Sequence, residues 1–183
     1  MMGVFNVFGT EKTIYLYKNI KEGIKIDVTI VNHGEFQVIG VKKVFSYDQG
    51  KNLEDIPKFW DEVHTNGTIE QLGKLGTSYM GICSVSKEQA ANQEMDYWIA
   101  TEYNGQNAEG MEIFEVSAQQ WAIFKSVGAL PEAIQSTWQQ IFSKWLPESD
   151  YVHADGPEIE VYDGSDTTKA DFTCEVWIPV TKK

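Results

Sequence analysis

Arginine is absent from this chain of 183 residues, so every basic side chain is a lysine, against a formal net charge of -12. The guanidinium fork is the usual reader of phosphates and guanine edges, so an acidic chain without it is not expected to bind DNA directly. Cysteine is scarce as well. Cys83 and Cys174 stand far apart with no Cys-x-x-Cys pair, which signals neither a disulfide framework nor a zinc site. They read as reduced thiols in a cytoplasmic protein. No apolar run approaches a membrane span, and "MMGVFNVFGTEKTIYLYKNIKEG" lacks the basic start and apolar stretch of a signal peptide. The G-x-S-x-G elbow, the Walker loop, the dinucleotide glycine fingerprint and H-E-x-x-H are missing too. His33, His64 and His153 each adjoin a loop or helix end, so no metal and no cofactor is expected.

The sequence is instead rich in rings, with six Trp, eight Tyr and nine Phe. Its acidity serves solubility, and the same field attracts cations. Strand-like runs open the chain, "GVFNVFG", "TIYLYK" and "IKIDVTIVN", and "EFQVIGVKKVF" continues them. "DIPKFWDEVH" reads as a helix, with Pro57 in its first turn and Ile56, Trp60 and Val63 on one face. "SYMGICSV" and "MDYWIATEY" follow as strands joined by the polar loop "SKEQAANQE". "MEIFEVS" then leads to the strand "QQWAIFKSVG". A helix over "PEAIQSTWQQIFSKWLPES" aligns Ile134, Trp138, Ile141, Phe142 and Trp145. The strands "EIEVYD" and "DFTCEVWIPV" complete the chain.

The order strand, helix, strand, strand therefore occurs twice. This predicts an α+β fold in which duplicated units form an antiparallel sheet with helices and a ligand cleft at their pseudo-twofold junction. Residues 1–33 are read as an N-terminal strand extension, with repeats over about 34–105 and 110–183.

In "CEVWIPV", alternation sends Cys174, Val176, Ile178 and Val180 to a core face and Glu175 and Trp177 to the other. "EIEVY" repeats the pattern, with Glu160 and Tyr162 opposed to Ile159 and Val161. Such strands carry either a solvated face or a ligand wall. A carboxylate among rings can pair with a cation, while a partly desolvated one can act as a general base. Trp60 and Trp138 lie at helical spacing and read as packing. So does Trp145, less firmly because it is near a helix end. Cys174, on the core parity, reads as packing rather than as a nucleophile.

These landmarks resemble the GyrI-like effector-binding domain of bacterial AraC- and MerR-type multidrug regulators. They are "YWIATEYNG", "GMEIFEVSAQQWAIFKSVG", the helix end "SKWLPESDY", "GPEIEVYDG" and the terminal "CEVWIPV". The resemblance covers the chain from about Gly34 onward. It implies a ligand cleft holding hydrophobic or cationic small molecules, with Glu175 as pocket carboxylate and Trp177 beside it. Glu160, Tyr162, Tyr97, Trp98 and Trp145 are further candidates. The regulators' helix-turn-helix has no counterpart in the opening strands, so a stand-alone member is expected. The function expected is binding of amphipathic, cationic small molecules, with two alternatives, a hydrolase of reactive electrophiles with Glu175 as base and an inhibitor of a protein partner.

Overall fold

The computed structural model describes Tyr15–Leu16 and residues 26–183. The expected strand "GVFNVFG" lies outside the described residues, as does "TIYLYK" apart from β1, Tyr15–Leu16. "IKIDVTIVN" supplies β2, Val28–His33. The first unit comprises β3 (Phe36–Ser46), α1 (Lys51–Thr65), α2 (Thr68–Leu75), β4 (Tyr79–Ser84), α3 (Lys87–Asn92) and β5 (Glu94–Glu102). After β6 (Glu112–Val116), the second comprises β7 (Gln119–Val127), α4 (Glu132–Gln140), α5 (Leu146–Glu148), β8 (Tyr151–His153), β9 (Glu158–Tyr162) and β10 (Thr173–Lys182). The α+β fold is thus the duplicated one expected.

All strand pairs are antiparallel, in the order β1-β2-β7-β10-β9-β4-β5-β3-β6, with β8 paired to the end of β10. The repeats β3-α1-β4-β5 and β7-α4-β9-β10 meet where β4 pairs β9, and Gly81 lies opposite Glu160 at the middle of that junction. β2, within the expected extension, pairs with β7.

Short links curl this sheet. β2 reaches β3 through Gly34–Glu35, and β6 reaches β7 through Ser117–Ala118, although each pair lies on opposite flanks of the sheet. Two linking residues span about 11 Å at most, so the flanks must approach one another. The face so enclosed is a core of Ile82, Trp98, Trp121, Ile159, Val161 and Trp177, with their neighbours. On the outer face, α4 buries Ile134 against Phe124 and Val176, and α1 buries Phe59 and Val63 against Tyr97 and Ile99. Burial on both faces accounts for the unbroken buried runs Tyr97–Thr101 in β5 and Val176–Val180 in β10.

Local chemistry departs from expectation in three places. Helix α1 begins at Lys51, after Gly50 in a left-handed conformation, so Pro57 sits inside it rather than in its first turn. The carbonyl that Pro57 cannot reach belongs to Leu53, an exposed residue. "SKEQAANQE", expected to be a loop, forms α3, because Ser86 and Gln89 make a reciprocal capping box. Finally, Phe142 is exposed rather than part of the helix's core stripe. A π turn over Ile141–Trp145 joins α4 to α5, and such turns recur at functional sites.

Trp121 is fully buried in the enclosed core. Trp121→Ala is expected to lower the unfolding free energy by about 3–5 kcal/mol in a urea titration, as large core truncations do.

Candidate functional site

Strand β9 sends Ile159 and Val161 into the enclosed core and turns Glu158, Glu160 and Tyr162 toward the helices. α1 packs on β3, α2 on β5, and α4 on β7 and β10, so the helices sit over strands flanking the central pair β4 and β9. Side chains rather than helix backbones meet above that pair.

The centre is Glu160. Its Oε1 accepts the Trp138 indole N–H at 2.7 Å, and its Oε2 accepts the Tyr162 hydroxyl at 2.7 Å and the Tyr97 hydroxyl at 3.2 Å. The Trp60 indole N–H in turn donates to the Tyr97 oxygen at 3.1 Å. Trp60 stands edge-on to the Tyr162 ring, with centroids 5.5 Å apart. Each repeat therefore lends one helix tryptophan and one strand tyrosine to a single carboxylate. The two tyrosines occupy non-equivalent positions. In register, the first repeat's Cys83–Tyr97 pair answers the second repeat's Tyr162–Cys174 pair, with ring and thiol exchanged between strands.

Room for this comes from Gly81, opposite Glu160. A Cβ there would run into the Tyr97 hydroxyl and lie 3.0 Å from Glu160 Oε2. Gly81→Ala is expected to break the Tyr97–Glu160 bond and to cost about 1–3 kcal/mol in a denaturant titration.

Among the described residues no lysine pairs with Glu160. Burial raises its pKa above the ordinary carboxylate value, and its three donors only partly offset this. Burial together with the Glu160 charge holds Tyr97 and Tyr162 protonated far above the usual tyrosine range, so both serve as donors. Burial pushes the Cys83 and Cys174 thiols up to about 12, with Glu160 adding to it, which leaves them poor nucleophiles. Glu160, Tyr162, Trp60 and Trp138 nevertheless keep part of their surface accessible. The carboxylate is set among protein atoms, in a ring of residues most of which are only partly buried. Among the described residues, no group of three or more His, Cys, Asp and Glu could hold a metal, and no helix is long and apolar enough to cross a membrane.

The other residues singled out from sequence lie elsewhere. Glu175 pairs with Val161 and Trp177 with Ile159, so both turn to the face opposite Glu160. There the Trp177 indole donates to Glu175 Oε2 at 2.8 Å and packs on Trp121, with centroids 5.8 Å apart. Trp98 is on that enclosed face too, against Phe114. Trp145 belongs to the helix-side core, edge-on to Phe124 at 4.9 Å and stacked on Tyr151. The structure thus gathers Glu160, Tyr162 and Tyr97, and adds Trp60 and Trp138, which spacing alone assigns to packing. One signal in the sequence does point to them. An indole N–H withdrawn from water usually finds an acceptor, and α1 and α4 each carry a Trp on the side that faces the sheet.

A folded-state pKa above 4.5 means that the folded protein holds the Glu160 proton more tightly than the unfolded chain does. The resulting stability is fully present below the unfolded value and is lost as pH rises through the folded one. Glu160→Gln is therefore expected to raise the melting temperature at pH 7.5, with the gain shrinking toward pH 4.5 in a thermal-denaturation series.

Residues 29–180 match the family model described as Cass2, integron-associated effector binding protein. In fold, the chain is similar to SAV2435 bound to tetraphenylphosphonium, with a TM-score of 0.73 and 19% identity over 86% of this chain and 94% of that one. It is also similar to an integron cassette protein from the mobile metagenome of Vibrio cholerae, with a TM-score of 0.63 and 15% identity over 92% and 99%. A DNA gyrase inhibitor of Erwinia billingiae is 38% identical over 45 residues, or 25% of this chain and 29% of that protein's length.

Proposed function

The chain belongs to the integron-associated effector-binding protein family, and from that premise we propose that it binds amphipathic, cationic small molecules, with Glu160 as their counter-charge. The observation that carries this reading is a deeply buried carboxylate held by three neutral donors with, among the described residues, no cation beside it. Buried charges are normally paired, and here the partner is the ligand. Four rings surround the carboxylate, offering π faces to a lipophilic cation. The ligand named for SAV2435, tetraphenylphosphonium, is a molecule of that kind.

Physically, the neutral donors orient the carboxylate and disperse its charge without cancelling it. A ligand cation completes the pair and displaces water from the rings at the same step. Because the donors are phenol and indole groups, the site keeps its charge unspent until a cation arrives. Specificity then comes from charge and ring contact more than from shape, which suits a range of flat or multi-ring cations. The alternative of a hydrolase based on Glu175 draws no support from the cleft, since that carboxylate faces the enclosed core. A protein partner is suggested only by the short match to the gyrase inhibitor, and no particular surface stands out for it.

Tryptophan fluorescence should report binding directly, because Trp60 and Trp138 line the site. Titration with tetraphenylphosphonium at fixed salt is expected to give saturable quenching, weakened about tenfold or more in Glu160→Gln and unchanged in Glu175→Gln. Equal affinity for a neutral isostere such as tetraphenylmethane carrying a solubilising neutral group would defeat the counter-charge reading. In the wild type, affinity for the cation is expected to rise with pH from 4.5 upward, as Glu160 gives up its raised-pKa proton.

A further inference from the structure

Strand β9 carries a second carboxylate toward the helices. Glu158 lies two residues before Glu160 on the same face, which places the two about 7 Å apart along the strand. An aromatic ladder runs between them. Trp138, which donates to Glu160, stacks on Phe142 with centroids 5.8 Å apart and planes 10° apart. Phe142 stacks in turn on His153 at 6.2 Å. His153 Nε2 lies 3.0 Å from Glu158 Oε1, which closes the path. Phe142 is 47% exposed, so the middle rung presents a large ring to solvent.

We propose that this ladder is an outer subsite, and that the ligand class suited to the whole cleft is an elongated dication. Its inner cationic group pairs with Glu160, its apolar spacer lies along Trp138 and Phe142, and its outer cationic group pairs with Glu158. The inference rests on the reading of Glu160 as counter-charge and extends it to a second charge. Its physical basis is the difference between the two carboxylates. Glu160 is locked by neutral donors, whereas Glu158 has a titratable partner that a ligand cation can replace. The groups facing His153 are Glu158 from β9, Asp155 from the intervening turn and the Phe142 ring, and both carboxylates favour the charged imidazole. While His153 is protonated, it occupies the outer site. When it is neutral, Glu158 is left for the ligand.

The test compares hexane-1,6-bis(trimethylammonium) with hexyltrimethylammonium, each titrated by tryptophan fluorescence at about 0.15 M salt, with tetraphenylphosphonium as reference. The dication is expected to bind about three- to tenfold more tightly than the monocation, since a half-exposed ion pair contributes modestly. Glu158→Gln should abolish that ratio and leave tetraphenylphosphonium binding intact, whereas Glu160→Gln should weaken all three ligands. The ratio should rise between pH 6 and 8 in the wild type and stay flat in His153→Gln. A ratio near one in the wild type, or one that survives Glu158→Gln, overturns the outer subsite while leaving the Glu160 reading standing. Tetraphenylphosphonium binding that ignores Glu160→Gln overturns both.

Discussion

Glu160 sits where the two halves of the sheet join, and the placement of its neighbours follows from the need to stabilise a carboxylate away from water. Burial works against the charge, and among the described residues the answer is an indole and two phenols rather than a lysine. This compromise keeps the group ionisable without neutralising it. A lysine in the same place would make a satisfied core pair and close the site. A buried charge without a counter-ion is a stability cost, of the kind commonly found at functional positions.

The duplicated architecture makes that arrangement possible. Two strand-helix-strand-strand units meet edge to edge, so the middle of the sheet is a junction rather than the inside of either unit. Each helix rests mainly over its own unit's strands and reaches the junction only with side chains, Trp60 from one and Trp138 from the other. The pseudo-symmetry is broken where the chemistry requires it, with glycine on one strand facing glutamate on the other. A glutamate at both positions would set two carboxylates against each other. One glycine gives the Tyr97 hydroxyl space to reach the remaining one.

The opposite face of the sheet has a different role. Short links draw the flanks of the sheet together and enclose Trp98, Trp121 and Trp177 in a core. Among the described residues, the buried Trp98 and Trp121 indole N–H groups find no hydrogen-bond partner there. That close-packed core backs the sheet behind Glu160. Aromatic richness thus divides between two faces, with rings that fill space on one and rings that surround Glu160 on the other.

By itself, the sequence determined the α+β class, the doubled unit, the parity of each strand and the family resemblance, because periodicity and element order are local properties that survive without coordinates. It also placed Glu160 and Tyr162 together, since residues two apart on a strand share a face. Only the tertiary structure decided which faces meet. The alternation that makes Glu175 and Trp177 rhyme with Glu160 and Tyr162 does not reveal that the register sets Cys174 opposite Tyr162 and Val176 opposite Glu160, so the two motifs face opposite ways. Nor does helical spacing distinguish a tryptophan that fills a core, such as Trp145, from one that donates to a carboxylate on a distant strand, such as Trp138. Register and long-range pairing are set by how the whole sheet closes, and no short stretch of chain contains that information.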